Sequence, residues 1–148
     1  MFKHILVPTD GSDISREACE HALDLAREHK AQVTVLMASP TYRRVADEGF
    51  ILPEINVEKR DWEASVKERA NAVLDEAAAK AKAKGVKCAT AHVFKDVPHA
   101  AIIDAAKKNN ADLIVMASHG HGGFKQWVLG SETNGVLSQS KIPVLVYR

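Results

Sequence analysis

Cysteine is nearly absent. Cys19 and Cys88 are the two in 148 residues, too few for a disulfide framework or a four-thiolate zinc site, and a reduced, cytoplasmic protein is expected. Charge of one sign is also missing: 20 Lys plus Arg stand against 19 Asp plus Glu, so no surplus marks a nucleic-acid or anionic-membrane partner. No stretch approaches the roughly 18 uncharged apolar residues of a membrane span, and the run in Met1-Phe2-Lys3-His4-Ile5-Leu6-Val7-Pro8 is too short for a signal peptide. Neither export nor membrane insertion is expected. What remains, 46% hydrophobic and 26% charged with 8 glycines, is the composition of an ordinary soluble globule. The length fits one domain over residues 1–148, able to bury about 68 to 70% of its unfolded surface without metal or disulfide support.

Strand and helix signals alternate. Ile5-Leu6-Val7, closed by Pro8, reads as a strand buried on both faces, over residues 2–8. Ile14, Ala18, Ala22, Leu25 and Ala26 mark one face of a helix capped by Ser12 or Asp13 and ending near Lys30. Residues 32–38 form a second buried strand. From Ser39 to Arg60 the pattern fails: Pro40, Gly49 and Pro53 interrupt it, and Phe50, Ile51 and Leu52 show no sustained period. A connection of that length is expected to be a lid, a partner segment or mobile, with Arg43 or Arg44 able to fold over a bound anion. Trp62, Val66, Ala70, Val73, Ala77 and Ala81 then predict a long helix over 61–84 with Gly85 as its C-cap glycine. Residues 86–94 read as a third strand. Pro98 opens a helix whose buried face carries Ala101, Ile102 and Ala105, Leu113-Ile114-Val115-Met116 is the strongest strand signal, and Ile142 to Tyr147 is the last strand. This order predicts a three-layer α/β fold with a parallel sheet and right-handed crossovers.

In an open sheet of this kind the ligand crevice lies beyond the carboxyl ends of the strands, where the connections diverge. Two loops are therefore candidates. Pro8-Thr9-Asp10-Gly11-Ser12 follows the first strand; Asp10 reads either as an acceptor for sugar hydroxyls or an amine, or as a turn aspartate. Ala117-Ser118-His119-Gly120-His121-Gly122-Gly123, continuing to Gly130-Ser131, follows the fourth; it reads either as a phosphate cradle of inward N–H groups or as a flexible glycine turn. The P-loop pattern is missing, and Gly120-His121-Gly122 is followed by Lys125 where the dinucleotide fingerprint needs its third glycine. A P-loop ATPase and a dinucleotide-binding dehydrogenase are both unsupported.

The second loop resembles the nucleotide-binding branch of the universal stress protein family, which carries Gly-x-x-Gly, nine residues, then Gly-Ser or Gly-Thr: Gly120, nine residues, Gly130 and Ser131 match, with Ala117 in place of the first glycine. Ile5-Leu-Val-Pro-Thr-Asp10, Asp112-Leu-Ile-Val-Met116, Val128-Leu129-Gly130-Ser131 and Pro143-Val-Leu-Val146 are similar to the family as well, with residues 40–60 as its variable segment. The resemblance implies a doubly wound, five-stranded parallel sheet in the order 3-2-1-4-5, of the adenine nucleotide alpha hydrolase-like type. It also implies a homodimer through the C-terminal strand, residues 142–147, and ATP, AMP or another adenine nucleotide held between the loops after strands one and four. Carried over by position, Pro8, Thr9 and Asp10 flank the adenosine, Ala38 and Met116 lie on the base, and Gly120, Gly130, Ser131 and Thr133 receive ribose and phosphates; Ala117 and His119 belong to the same loop. Any Mg or Mn would be held mainly through the phosphates. A sensor or regulator of stress adaptation is the implied role.

Other chemistry is weakly signalled. The seven histidines include His119 and His121 two apart, but no H-E-x-x-H or Cys/His pairing accompanies them. Without a clear base or an arginine finger, any ATPase activity is expected to be slow. Cys19 and Cys88 read as small core residues, Trp62 as a helix packing residue, and Trp127 stays open between loop and ligand frame. Two alternatives stand behind the main reading. One is a dimeric interaction module of the same fold without nucleotide; the other is an adenylating enzyme of the pyrophosphatase-loop type, whose Ser-Gly-Gly-x-Asp-Ser is matched by Asp10-Gly11-Ser12-Asp13-Ile14-Ser15 only in character.

Overall fold

The computed structural model describes residues 1–49, 58–121 and 129–148. Its elements run β1 (His4–Pro8), α1 (Asp13–His29), β2 (Gln32–Ser39), α2 (Tyr42–Asp47), α3 (Lys59–Ala83), β3 (Cys88–Phe94), α4 (Pro98–Lys108), β4 (Leu113–Ala117), α5 (Ser131–Gln139) and β5 (Val144–Tyr147). All strand pairs are parallel, in the order β3-β2-β1-β4-β5, so the expected doubly wound α/β fold is the one observed.

Strand alternation divides the interior into two layers. Ile5, Val7, Val33, Val35, Leu113 and Val115 face α1 and α3, meeting Ala18-side residues of α1 such as Ala22, Leu23 and Ala26 together with Leu74, Ala77 and Ala81 of α3. Leu6, Leu36, Ile114 and Met116 face the other way, onto Ile102 and Ala106 of α4 and Val136 of α5. The central strands therefore have no solvent face, which is why they read as continuous apolar runs. Ile114 is 0% exposed in this second layer; Ile114→Ala is expected to destabilise the chain by about 2–5 kcal/mol. Urea unfolding checks it, and an unchanged midpoint would contradict this packing.

Three strand starts differ from the sequence reading, each for a hydrogen-bonding reason, and β2 runs one residue further, to Ser39. β1 begins at His4, not residue 2, because the Asp112 carboxylate takes the Lys3 N–H (2.9 Å) and the His4 N–H (3.0 Å). β3 begins at Cys88, not Val86, because the Val86 N–H closes α3 on the Ala81 carbonyl at 2.9 Å. β5 begins at Val144, not Ile142: Ile142 N–H turns to Ser140 Oγ at 3.0 Å, and Pro143 has no N–H to pair.

Helix ends follow the residues available. Ser12 caps α1, and α1 ends with Lys30 at φ 54, its N–H returning to Ala26 and Arg27 carbonyls. On α4 the buried residues are Ala101, Ile102, Ile103 and Ala106; Ala105 is only half-buried. α2 was not expected. Thr41 caps it, and Asp96 fastens the cap by accepting from Thr41 N–H (2.8 Å) and Thr41 Oγ1 (3.0 Å), while Arg44 donates to the Asp96 carbonyl and pairs with Glu48 at 2.9 Å. Arg44 is thus committed here, and Arg43 is exposed beside Asp47 at 3.8 Å. Tyr42 also packs edge-on against Trp62, 5.6 Å between ring centroids, and Trp62 against Phe94 at 6.0 Å. Trp62 is thus a packing residue. Phe50, Ile51, Leu52, Lys125 and Trp127 lie outside the described residues.

Burial pushes the Cys19 thiol up to about 11, with Cys88 nearby adding to the effect, and burial raises Cys88 as well. Both thiols stay protonated near neutrality; Cys19 is a core residue as expected, whereas Cys88 is half-buried against the edge of that core.

Candidate functional site

The first wall of the site is the turn between β1 and α1. Beyond Pro8 the ladder continues for one residue, Thr9 N–H to Leu36 carbonyl at 2.8 Å. The chain then reverses: Asp10 Oδ1 accepts from Ser12 N–H (3.0 Å) and Ser12 Oγ (2.5 Å), and Gly11 takes φ +81°, a conformation that side chains disfavour. Thr9 Oγ1 meets Ser15 Oγ at 3.0 Å, so the turn is locked to the first turn of α1.

The second wall is the end of β4 joined to the start of α5. Ser118 N–H bonds the Tyr147 carbonyl at 2.7 Å, and Ser118's own carbonyl receives Gly130 N–H at 2.7 Å. Thr133 Oγ1, buried, donates to the carbonyls of Ala117 (3.0 Å) and Ser118 (3.2 Å). Gly130 is the N-cap of α5 and offers no side-chain acceptor, so the first-turn N–H groups of Ser131, Glu132 and Thr133 have no intrahelical partner.

Asp10 bridges the walls. Its Oδ2 accepts from His121 N–H at 2.9 Å, and His121 Nε2 donates to the Asp10 carbonyl at 3.0 Å. Burial pushes the Asp10 carboxyl up, but the hydrogen bonds from Ser12 and His121 outweigh it and hold the group below the ordinary carboxylate range. It is therefore an anion and a hydrogen-bond acceptor throughout the physiological range. The carboxylate passes so close to Gly120 that a Cβ there would lie 2.1 Å from Oδ2.

Between the walls lies a cavity of about 530 Å³ at the carboxyl ends of β1, β2 and β4. Pro8, Thr9, Asp10, Ala38, Met116, Ala117, His119, Gly120, Gly130, Ser131 and Thr133, all singled out from the sequence, line it together. Ala117 ends a regular strand and does not have positive φ, so it carries none of the strain that replacing a left-handed glycine would bring. Gly130 sits at φ −60° and Gly120 is not left-handed either; what restricts them is space, not φ. Ser15, Leu36, Pro98, Ile102, His121, Leu129 and Glu132 also line the cavity and were not read as site residues. Ser15 and Leu36 could have been found by extending the first loop one helical turn and the second strand to its end. Pro98, Ile102 and Glu132 come together only because α4 and α5 share one side of the sheet.

Among the described residues no group of three His, Cys, Asp or Glu side chains converges as a metal site would require. Nor does any described helix have the length and apolarity to cross a membrane.

A parallel sheet in this order, with a cavity across the point where its connections diverge, defines a doubly wound α/β protein. The chain belongs to the universal stress protein family, whose family model matches residues 1–148. Universal stress protein MJ0531 of Methanocaldococcus jannaschii is 34% identical over 152 residues, covering 100% of this chain and 83% of its own. The solved structure of MJ0577, from the same organism, superposes with a TM-score of 0.83 at 27% identity, covering 99% of this chain and 96% of that one. A universal stress protein solved in complex with cAMP gives a TM-score of 0.68 at 25% identity, covering 99% and 97%.

Proposed function

We propose that this chain binds an adenine nucleotide, ATP or a relative of it, in the cavity between the β1 and β4 loops, and acts as a cytoplasmic sensor or regulator in stress adaptation. The observation that carries the reading is the Asp10 bridge: one carboxylate ties together the two loops that face the cavity, at the point where a nucleoside would enter. The orphan N–H groups at the start of α5 suit phosphate oxygens, and a family member has been solved with cAMP. Thr9 and Asp10 then address the nucleoside end, Ala38 and Met116 the base, and Gly120, Gly130 and Ser131 the phosphates. The cavity volume lies in the range of small-molecule sites, about 300 to 1,000 Å³. Any Mg or Mn would be held through the phosphates. Mass spectrometry of small molecules released from the purified protein tests the reading: an adenine nucleotide is expected, and a different ligand class would overturn it.

Because Asp10 is assigned to the nucleoside end, Asp10→Ala is expected to weaken AMP and ATP by similar factors, about 10- to 100-fold for a lost charge-assisted hydrogen bond. Calorimetric titration distinguishes the alternatives. Loss confined to ATP would place Asp10 at the phosphates, and no loss would leave it a turn residue.

The chain is further proposed to act as a homodimer through residues 142–147. β5 is an edge strand, and Leu145 at its centre is 43% exposed.

A further inference from the structure

We propose that the amino-terminal end of the sheet carries a second ligand site, a cationic cavity that takes a compact oligophosphate anion and shares no residue with the cavity between the β1 and β4 loops.

Strand order creates it. Lys3 precedes β1, Lys30 and Ala31 precede β2, and Lys87 precedes β3, three strands that are neighbours in the sheet. Their starts are tied together: Gln32 N–H donates to the Lys3 carbonyl at 3.0 Å, and Val33 N–H to the Lys87 carbonyl at 2.9 Å. Adjacent strands lie about 4.8 Å apart, so the Lys3 and Lys87 backbones flank the entry to β2 about 10 Å from each other. α1 and α3 end at the same place, where Lys30 turns the chain at φ 54° and Gly85 at φ 71°. The result is a cavity of about 400 Å³, walled by the buried Ala26, Ala31 and Val86 and lined by the exposed Lys3, Arg27, Lys30 and Lys87.

Helix ends attract cations, but the ends here are already served. The Ala26 and Arg27 carbonyls accept from the Ala31 and Lys30 N–H groups, and the Ala81 and Lys82 carbonyls from the Val86 and Gly85 N–H groups. Arg27 and His29 stand in the last turn of α1, Lys80 and Lys82 in that of α3, and Lys3 and Lys87 belong to no helix. Carboxylates on these segments do not balance the group. Asp24 is shared between Lys84 (2.6 Å) and Arg27 (3.7 Å), Asp112 accepts from the Lys3 and His4 N–H groups, and Glu28 is exposed on α1 outside the cavity. Against them stand Lys3, Arg27, Lys30, Lys84 and Lys87, a local excess of positive charge in a chain whose net charge is only +1. A multivalent anion relieves the repulsion among them.

The lining selects the class of anion. Ammonium groups are compact point charges that suit tetrahedral phosphate oxygens, whereas planar carboxylates favour guanidinium forks, and the one arginine is engaged with Asp24. Among the described residues no aromatic side chain lines the cavity to stack on a base. The ligand is therefore a short phosphate chain instead of a nucleotide.

The test is calorimetric titration of the full chain with inorganic tripolyphosphate in a metal chelator, with AMP saturating the first cavity, for wild type and Lys30→Gln/Lys87→Gln; citrate serves as the carboxylate control. The expected result is one tripolyphosphate per chain, weakening as salt is raised. The double variant should bind about 25-fold more weakly, since a unit charge pair at contact in water is worth about a factor of five, with its AMP affinity unchanged. Amide NMR shifts on tripolyphosphate addition should centre on Ala31, Gln32, Gly85 and Lys87. Equal affinity in wild type and the double variant, shifts confined to Gly120, Ser131 and Thr133, citrate binding as tightly as tripolyphosphate, or no binding at millimolar concentration each overturns the inference. If AMP fails to bind, the nucleotide reading falls, and the amide shifts and the double variant still decide this one.

Discussion

Gly120→Val is expected to abolish nucleotide binding in a chain that still folds. The cause is local. A Cβ at Gly120 would sit 2.1 Å from Asp10 Oδ2 and 3.1 Å from its Cγ, with φ outside the left-handed region. The obstruction is thus the carboxylate that bridges the loops, and any side chain must push it aside and break its hydrogen bond to the His121 N–H. Displacing packed groups in this way costs about 1–3 kcal/mol, tolerable for a domain of this size but enough to misplace the nucleoside acceptor. Gly120→Ala should already lose most of the affinity. Gly130 is different: its Cβ would meet the Ser118 carbonyl at 3.3 Å and His119 Cα at 3.4 Å, a few tenths of an ångström too close. Gly130→Ala should therefore weaken binding much less than Gly120→Ala, while Gly130→Val should still abolish it by filling the mouth of the α5 terminus. Titrations of these variants, with circular dichroism to verify folding, check the ranking. Equal affinity in folded Gly120→Val and wild type would remove Gly120 and its contact with Asp10 from the site.

A comparably large effect is expected at the free edge of β5. β5 pairs with β4 from Val144 to Tyr147, leaving its other edge without a strand in this sheet. Val144 packs into the α4 and α5 layer, and Tyr147 is anchored on the α1 side by its hydroxyl bond to Glu17 (2.8 Å) and its stack on His21 (4.8 Å). Leu145 lies between them as an exposed apolar side chain on an open edge. Such an edge invites strand addition, and a second copy satisfies it across a two-fold axis. Leu145→Lys or Val146→Lys should yield monomers or aggregates, since an ammonium at the centre of the pairing must be desolvated. Light scattering that reports a stable dimer for both variants would move the interface elsewhere, to α3 in the first instance.

What could be read from the sequence follows from where the information lies. β1 and β4 were legible because Ile5-Leu6-Val7 and Leu113-Ile114-Val115-Met116 are buried on both faces and leave nothing but apolar residues to read. α3 was legible through Ala70, Ala77 and Ala81, although Trp62, Val66 and Val73 are half-buried instead of core and the buried Leu74, next to Val73, was not read. α2 was not: none of its six residues is buried, so it has no apolar period, and its stability comes from Asp96, 55 residues away from Thr41. The site divides along the same line. The residues on the two loops were found because loop sequence and strand ends are local, and because the Gly120 to Gly130-Ser131 spacing resembles a known family. His121 was visible in the loop but had no assigned role until its N–H met Asp10, 111 residues away. Glu132 reads locally as an ordinary acidic first-turn residue; only the packing of α4 on α5 reveals its bond to His99.

The bridged loops are proposed to hold one adenine nucleotide per chain. Calorimetric titration of the purified chain, stripped of small molecules, with AMP tests it most directly. Saturable binding is expected, with one site per chain, competed by ATP and lost in Gly120→Val. Absence of binding by AMP, ATP and cAMP alike, in a folded chain, would contradict it and leave the fold as a dimeric interaction module.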